Sequence, residues 1–206
     1  INGTSKLSPF LKFGQIHVET IWKKCQDIKV KKIGYRKYIN ELGWREFSHS
    51  LINYFPQMLK GNLRKDFDNF PWVKNEKHLD SWKKGMTGYP IVDAGMRELN
   101  ETGWMHNRVR MIVASFLVKH LRIHWMEGEK HFKNCLVDYN EASNIAQWQW
   151  VAGCGADAAP YFRIFNPILQ GEKFDKDGIY TKKWVPELLN MPNKFLYKPW
   201  ELEKKY

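Results

Sequence analysis

The helical spacing of apolar residues is the feature that most restricts the fold of this 206-residue chain. One run carries Tyr38, Leu42, Phe47, Leu51 and Tyr54 at helical spacing. The alternation of apolar and polar residues that is typical of strands is nearly missing. We therefore predict an all-α fold in one domain over residues 1–206, a compact cluster of helices rather than an up-down bundle.

The predicted helices follow one another with one irregular stretch. The first is short, with Ser8 as candidate N-cap, Pro9 at its first position and Gly14 at its end. Residues 60–84 are expected to be irregular, and the longest periodic segment reads as one long helix. The remaining predictions are helices over 16–25, 36–54, 90–99 and 103–128, and one after Asp138 that ends in a glycine-broken loop.

Composition points to a polyanionic partner. The formal net charge is +11, and a basic surface favours nucleic acid or an anionic membrane. No run approaches the ~20 apolar residues of a membrane span, and no secretory leader precedes the first helix. The odd count of three cysteines, without metal-ligand spacing, predicts free thiols in a reducing compartment. Both ends read like cuts within a longer protein.

Residues 138–167 combine acids, amides, two tryptophans and an aromatic–arginine cluster. So many polar and aromatic groups suit a pocket for a flat, polar, redox-active molecule better than a simple core. Upstream, Arg110 lies in apolar surroundings, and a buried arginine needs a carboxylate partner. Asp138 is the candidate. On the same predicted helix, Met111 lies next to Asn107 and Arg108.

Ten tryptophans are a heavy load for this length. Trp72, Trp125 and Trp148 fall in three different segments, each near polar residues. A row of indoles could carry electrons from a buried group to the surface, and core packing is the alternative explanation. Glu41, Trp44 and Arg45 form an acid–aromatic–base set that could stack on a flipped base and hydrogen-bond its edge.

Other patterns are ambiguous or argue against a chemistry. The hydroxyls and lysine of residues 4–9 could bind a pyrophosphate at a helix start, or could be an ordinary N-cap. His120 and His124 share a helix face, but Leu121 stands where a zinc protease needs glutamate, so no metal site is expected. Rossmann, Walker and nucleophile-elbow patterns are missing from the sequence.

Five motifs together resemble the FAD-binding helical domain of the photolyase/cryptochrome family, in particular microbial class I cyclobutane pyrimidine dimer photolyases. They are TSKLSP, ELGWREF, TGYPIVDAGMREL, TGWMHNRVRM and WQWVAGCGADAAPYFRIFNPILQGEKFD, and they cover nearly the whole chain in order. The resemblance implies light-driven repair by a carbon–carbon lyase, in which reduced FAD donates an electron to a flipped-out dimer. It further implies UV-damaged DNA as partner, no membrane, a monomer, and a bacterial cytoplasmic, nucleoid-associated setting.

The resemblance also implies roles for individual residues. The cofactor would be held by Thr4, Ser5, Lys6, Leu7, Ser8, Tyr38, Arg110, Asp138, Tyr139, Asn140 and Asn144, with Asn144 facing flavin N5. The photoreduction chain would run from Trp148 through Trp125 to Trp72. The catalytic dimer pocket would comprise Glu41, Trp44, Asn107, Met111 and Trp150, together with Asn144 at the flavin. The DNA strand would be held by Arg45, Arg108, Arg163 and Gln170, with Glu41, Trp44 and Asn107.

Two departures and several alternatives accompany this interpretation. Asn140 replaces a common second aspartate, and Ala146 and Gln147 replace small or glycine residues. An α/β antenna domain with an unidentified chromophore is expected outside this chain. The alternatives are a cryptochrome-type photoreceptor and a light-independent nucleic-acid-binding module. Asn144 disfavours the plant photoreceptors, which carry an acid there, and the segment MHNRVRM lacks the histidine pair of 6-4 photoproduct enzymes.

Overall fold

The computed structural model describes residues 3–28, 33–158, 160 and 162–202. In these residues the secondary structure is helical without strands, which confirms the all-α prediction. The α-helices of this part are α1 Ser8–Lys12, α2 Val18–Gln26, α3 Ile33–Tyr54, α4 Glu76–Lys84, α5 Pro90–Thr102, α6 Asn107–Ser115, α7 Trp125–Cys135, α8 Glu141–Ala152, α9 Pro167–Phe174 and α10 Ile179–Trp184. No helix in the described ranges is long and apolar enough to cross a membrane.

Ser8 does not cap the first helix, contrary to the prediction. The N-cap is Leu7, whose backbone is already in the right-handed helical region, so Ser8 is the first helical residue and makes no capping bond. The hydroxyl of Ser5 instead accepts from the Leu7 amide at 3.4 Å. Helix α2 is capped by His17, whose Nδ1 accepts from the Glu19 amide.

Residues 60–84 are not irregular throughout, because α4 occupies their last third. Asn75 caps this helix by accepting from the His78 amide at 2.9 Å. Gly85 ends it with φ of 64°, a conformation that glycine adopts at little cost. Leu79 and Trp82, one turn apart, face the core. The asparagine and glycine at the two ends were readable start and stop signals.

The predicted long helix over residues 103–128 is broken into two. Helix α6 passes into a π-helical turn over Phe116–His120, closed by the Leu121 amide on the Phe116 carbonyl. Arg122 then takes φ of 53°, which a helix cannot continue. Helix α7 starts afresh at Trp125. Apolar residues continue through the break and hide it from a periodicity argument.

Three hydrophobic clusters of unequal size hold the described helices together, and the smallest joins α5 to the end of α10 through Ala94, Trp184 and Val185. The main core gathers 26 buried residues from the segment between Met58 and Tyr197, with Trp82, Leu99 and Leu117 at its centre. The N-terminal satellite, as we call the second cluster, has three buried residues, Ile21, Cys25 and Leu42. Helix α3 joins the main core and the satellite, since its first half packs in the satellite and its second half contacts the main core. The cysteines Cys25, Cys135 and Cys154 are free thiols.

Candidate cofactor and DNA-lesion site

Arg110 and Asp138 form the ion pair that the sequence predicts. Arg110 Nη2 donates to Asp138 Oδ2 at 2.8 Å and to Oδ1 at 3.1 Å, and Arg110 Nε donates to the Met105 carbonyl at 2.7 Å. The Asp138 side chain is 3% exposed and that of Arg110 is 26% exposed. The pair joins α6 to the loop before α8. It thus holds two opposite charges in fixed positions beside the start of α8.

Asn140, which stands where the family commonly has an aspartate, has a structural role that was not predicted from the sequence. It is the N-cap of α8, and its Oδ1 accepts from the Ser143 amide at 3.0 Å. Asparagine and aspartate cap helices about equally well. The substitution therefore preserves the start of α8, the helix that carries Asn144 and Trp148.

Glu129 is a residue of this region that the sequence reasoning missed. Its Oε1 accepts from the Tyr139 hydroxyl at 2.8 Å and from the Asn144 side-chain amide at 3.2 Å. Burial and this carboxylate raise the pKa of the Tyr139 hydroxyl, so the phenol keeps its proton and donates it. Glu129 thus ties α7 to both predicted cofactor contacts, and only its place one turn after Trp125 on a polar face could have suggested it.

Trp148 is nearly fully buried, at 2% exposure, inside the main core. Its ring packs edge-on against Phe132 at 5.0 Å and Trp82 at 6.2 Å between centroids. Gly128 makes room for it, because a Cβ there would lie 2.2 Å from the indole. Trp82 was not among the predicted electron carriers, although its place on the buried face of α4 brings it to Trp148.

Trp125 and Trp72 both contact the imidazole of His124. The His124 ring stacks on Trp125 with centroids 5.7 Å apart and meets Trp72 edge-on at 5.0 Å. Trp125 is buried, whereas Trp72 is half-buried. The structure therefore brings two of the three predicted tryptophans together through a residue that the sequence analysis considered only as a metal ligand.

The N-terminal segment faces the same region as the ion pair. Lys6 Nζ lies 5.4 Å from the centre of the Trp104 ring, and Lys12 Nζ lies 5.9 Å from that of Tyr139. Lys6 and Arg110 both act electrostatically on the buried Glu98 carboxylate. Thr4 Oγ1 is buried and makes no hydrogen bond. The N-terminal segment thus has an unsatisfied hydroxyl, and its two cations lie against Trp104 and against Tyr139, which comes just before α8.

Glu41 is set apart from the other carboxylates near the site. Partial burial raises the pKa of its carboxyl group, and the positive charge of Arg108 opposes that shift. Its surroundings thus favour the protonated form more than water does. In the acid–aromatic–base set, Arg45 pairs with Glu46, and Trp44 contacts Phe47 edge-on at 5.7 Å.

A rim of aromatic and cationic side chains follows α8. Trp150 Nε1 donates to the Asp157 carbonyl at 2.9 Å, and Arg163 lies over the Trp150 ring at 5.8 Å. Arg108 lies over the ring of Phe174 at 4.7 Å. Gln170 Oε1 is buried without a hydrogen-bond partner. Of the predicted lesion contacts, Asn107 is exposed at the start of α6, and Met111 is half-buried one turn later.

The predicted residues therefore fall into three groups. In the first group, Glu129 of α7 contacts Tyr139 and Asn144, and Arg110 is bonded to Asp138. Leu7 and Tyr38 belong to the satellite. Phe165, after α8, is tied to α6, because its amide donates to the Ser115 hydroxyl at 3.2 Å. Residues 159 and 161 lie outside the described part.

Comparison with known proteins gives this arrangement a family. The family described as the FAD binding domain of DNA photolyase matches residues 38–206. A deoxyribodipyrimidine photo-lyase of Agrobacterium fabrum is 52% identical over 203 residues, which are 98% of this chain and 42% of that protein. The chain thus spans less than half the length of this curated relative.

Solved structures agree with the sequence comparison. The crystal structure of a bacterial class III photolyase from Agrobacterium tumefaciens has a TM-score of 0.95 at 51% identity, over 99% of this chain and 43% of that one. A Synechocystis cryptochrome has a TM-score of 0.91 at 39% identity, over 98% of this chain and 42% of that one. The class I assignment stays a prediction, because the first of these belongs to class III. The chain belongs to the family of FAD-binding domains of DNA photolyases.

Proposed function

We propose that this chain is the catalytic domain of a light-dependent DNA repair enzyme, a deoxyribodipyrimidine photo-lyase. The observation that carries the proposal is the Arg110–Asp138 ion pair beside Asn144 and the buried Trp148, in a chain of this family. Its substrate would be a cyclobutane pyrimidine dimer in UV-damaged DNA, split without net oxidation or reduction. One catalytic domain over residues 1–206, acting as a monomer, is part of the proposal.

The residues present fit FAD. Thr4 Oγ1 is buried without a hydrogen-bond partner, as expected of a polar atom that binds a ligand. Thr4, Ser5, Lys6, Leu7 and Ser8 offer hydroxyls, amides and a cation suited to a pyrophosphate. Arg110 and Asp138 offer a fixed charge pair to the polar edge of a flavin, and Tyr38 an aromatic wall. When bound, FAD would supply the group that absorbs light and exchanges one electron with the lesion.

The side chains around the flavin would hold charge and protons in place. Arg110 would offset negative charge at the polar edge, while Asp138 keeps the guanidinium oriented. Asn144 donates one N–H group to Glu129, which leaves its second N–H group and its amide oxygen to donate or accept at flavin N5. Trp148, buried among aromatic rings, would be the first electron donor, with Trp125 and Trp72 behind it.

The lesion pocket would lie between α3 and the rim. Glu41 could donate a hydrogen bond to a dimer carbonyl, since burial favours its protonated form. Trp44 is 42% exposed and Trp150 is half-buried, so both rings are available for stacking on a flipped base. Arg45, Arg108 and Arg163 would neutralise backbone phosphates, which makes binding salt-dependent and independent of sequence.

An absorption spectrum followed by a repair assay tests the proposal. Purified protein reconstituted with FAD is reduced, mixed with an oligonucleotide that contains a thymine dimer, and exposed to blue light. We expect the dimer to disappear in the light and to persist in the dark. Intact dimers after illumination of fully reduced protein would falsify the repair function.

The electron path has a separate test. Trp148→Phe should slow the photoreduction of oxidised protein at least tenfold, because the first donor next to the flavin is lost. Repair by chemically pre-reduced protein should change little. An unchanged photoreduction rate in this variant would remove Trp148 from the path.

A cryptochrome-type photoreceptor is the second candidate, favoured by the likeness to the Synechocystis cryptochrome. It requires the same cofactor and the same tryptophans without dimer splitting. The two functions separate in one assay: photoreduction with no loss of dimers supports the photoreceptor. Colourless protein that gains no flavin absorbance after reconstitution supports instead a nucleic-acid-binding module without light chemistry.

A further inference from the structure

His124 stands at a junction that the predicted electron path does not mention. Its ring lies 5.7 Å from Trp125 and 5.0 Å from Trp72, nearly parallel to the first at 29° and edge-on to the second at 63°. The break between the π-helical turn and α7 puts it there, as the N-cap of α7. His124 Nδ1 accepts from the Met126 amide at 3.2 Å, so in the neutral ring the proton is on Nε2.

The two indoles differ in their polar surroundings. Trp125 Nε1 donates to Asn62 Oδ1 at 2.8 Å, and the Asn62 amide donates in turn to Asp68 Oδ1 at 2.8 Å. Trp72 Nε1 is buried and makes no hydrogen bond, and its ring packs on Phe70 at 4.5 Å. His124 is therefore a titratable group in contact with both rings.

We propose that His124 is a positioning residue for electron transfer, a neutral imidazole that keeps Trp125 and Trp72 in register and blocks transfer when it is protonated. The proposal rests on the proposed function, because it needs the tryptophans to carry charge. In the steps concerned, one electron moves from Trp125 to an oxidised Trp148, which is restored, and one electron then moves from Trp72 to the oxidised Trp125. Trp72 is oxidised, Trp125 is restored, and an external thiol later reduces Trp72. No bond between heavy atoms forms or breaks.

Charge explains why protonation matters. An imidazolium next to Trp125 repels the positive charge of an oxidised indole, and at about 5 Å this repulsion remains substantial even with the effective dielectric constant of a protein surface. Trp148 packs instead against Trp82 and Phe132. Protonated His124 would thus keep the positive charge on Trp148, where charge recombination is fastest. The yield of oxidised Trp72 would fall as a result.

The charged groups around His124 come from two elements, α7 and the turn Lys65–Asn69. Burial is the largest influence and lowers its pKa, whereas Glu127 on α7 and Asp68 on the turn Lys65–Asn69 act in the opposite direction. Asp68 is itself 3.7 Å from Lys65 Nζ, which weakens its effect. Because the pKa is lowered from 6.5, the ring is neutral at pH 7 and above and becomes charged only on acidification.

Flash photolysis of the protein reconstituted with oxidised FAD tests the proposal. The yield of the long-lived tryptophan radical is measured by transient absorption between about pH 5 and pH 8, and the protonation of His124 is followed by NMR of ¹³C-labelled histidine. We expect the wild-type yield to fall roughly tenfold on acidification, as the Coulomb repulsion predicts. The midpoint of that fall should match the NMR titration of His124.

Three variants separate the ring from the charge. His124→Phe keeps an aromatic ring that cannot titrate, so its yield should equal the wild-type value at pH 8 and stay constant. His124→Asn keeps an N-cap for α7 without the ring, so its yield should be severalfold lower and independent of pH. His120→Phe is the control, because His120 stacks on Phe116, and it should retain the wild-type profile.

Each outcome bears on the proposal. A constant wild-type yield across the NMR titration of His124, or a pH-dependent yield in His124→Phe, would overturn it. An unchanged yield in His124→Asn would reduce His124 to a helix cap. The absence of any tryptophan radical in the wild type at every pH would refute the electron path in the proposed function and the proposal with it. A wild-type radical without the predicted pH profile refutes the His124 role alone.

Discussion

The main core and the N-terminal satellite both contribute residues to the candidate site and differ in how completely they are buried. The main core fully buries large side chains such as Trp82, Leu99 and Leu117. The satellite buries only Ile21, Cys25 and Leu42, and surrounds them with half-exposed residues. Regions with fewer buried apolar contacts open at a lower free energy. The satellite is therefore expected to open more easily than the main core.

This difference matches the tasks proposed for the two sides. Electron donors need fixed distances, and Trp148 and Trp125 sit in the main core. The phosphates of a dinucleotide need a surface that can close on them, and residues 4–8 sit on the satellite. A ligand that bridges both would stabilise the satellite by mass action, because it binds only the closed form.

Removal of one leucine from the main core and of one from the satellite should give the largest losses of stability. Leu99→Ala creates a cavity at a fully buried site in the main core and should cost about 4 kcal/mol in unfolding free energy. Leu42→Ala in the satellite should cost about 2 kcal/mol, since its half-exposed neighbours can collapse into the space. Urea denaturation of both variants measures the two free energies.

Hydrogen exchange shows where each leucine variant loosens the fold. Leu42→Ala should speed amide exchange in α2 and leave α5 and α8 protected, whereas Leu99→Ala should speed exchange in every helix that is limited by global unfolding. Equal losses of free energy and the same exchange pattern in both variants would mean that the two clusters unfold as one unit.

Ion pairs offer the second contrast. Arg110→Met leaves Asp138 buried without its partner and should cost about 2 kcal/mol, below the usual value for a buried pair because the arginine is partly exposed. Lys23→Met in the satellite breaks a solvent-exposed pair with Glu19 and should change stability by less than ~0.5 kcal/mol. Thermal unfolding compares them, and a double variant with Asp138→Asn should recover part of the loss.

Two helical glycines provide the third contrast, with opposite signs. Gly128→Ala would drive a methyl group into Trp148 and Leu117 and should cost about 2 kcal/mol through overpacking. Gly43→Ala on α3 meets nothing within 4 Å and should gain about 0.5–1 kcal/mol from helix propensity. Chemical denaturation checks both signs. A stabilised Gly128→Ala would show that the main core yields around Trp148.

Much of the fold follows from the sequence, because periodicity and end signals are local. The helices beginning at Val18, Pro90 and Glu141 were predicted from such signals. The pairing of Arg110 with Asp138 followed from the cost of an unpaired buried charge. In contrast, the break before Trp125 could not be predicted, since Arg122 leaves the helical region while the apolar pattern continues through it.

The contacts of the site were harder to predict than its residues. Glu129 joins Tyr139 to Asn144 only because α7 packs beside α8, and no spacing in the sequence encodes that packing. His124 was considered as a metal ligand, and no metal site was expected. The break in the helix instead brings its ring into contact with Trp125 and Trp72. Tertiary packing determines the contacts of both Glu129 and His124. The residue types alone do not specify those contacts.

The smallest contrast concerns acid. Burial lowers the pKa of His131 to about 4, with a further contribution from Lys83, and the ring packs against Trp82 in the main core. Because the folded pKa lies below the usual 6.5, the unfolded chain binds more protons between these two values, and stability falls as the pH drops from about 6.5 to 4. Partial exposure limits the expected loss to about 1–2 kcal/mol.

His131→Phe should remove this loss, because a phenyl ring keeps the contact with Trp82 and binds no proton. Unfolding free energies of the wild type and the variant should differ progressively below about pH 6.5 and run parallel above it. Hydrogen exchange at about pH 5 should show the wild-type main core losing protection while α2 in the satellite changes less, because His131 packs in the main core. Parallel stability curves at every pH would mean that His131 is solvated enough to titrate normally, and the acid sensitivity of the main core would then need another group.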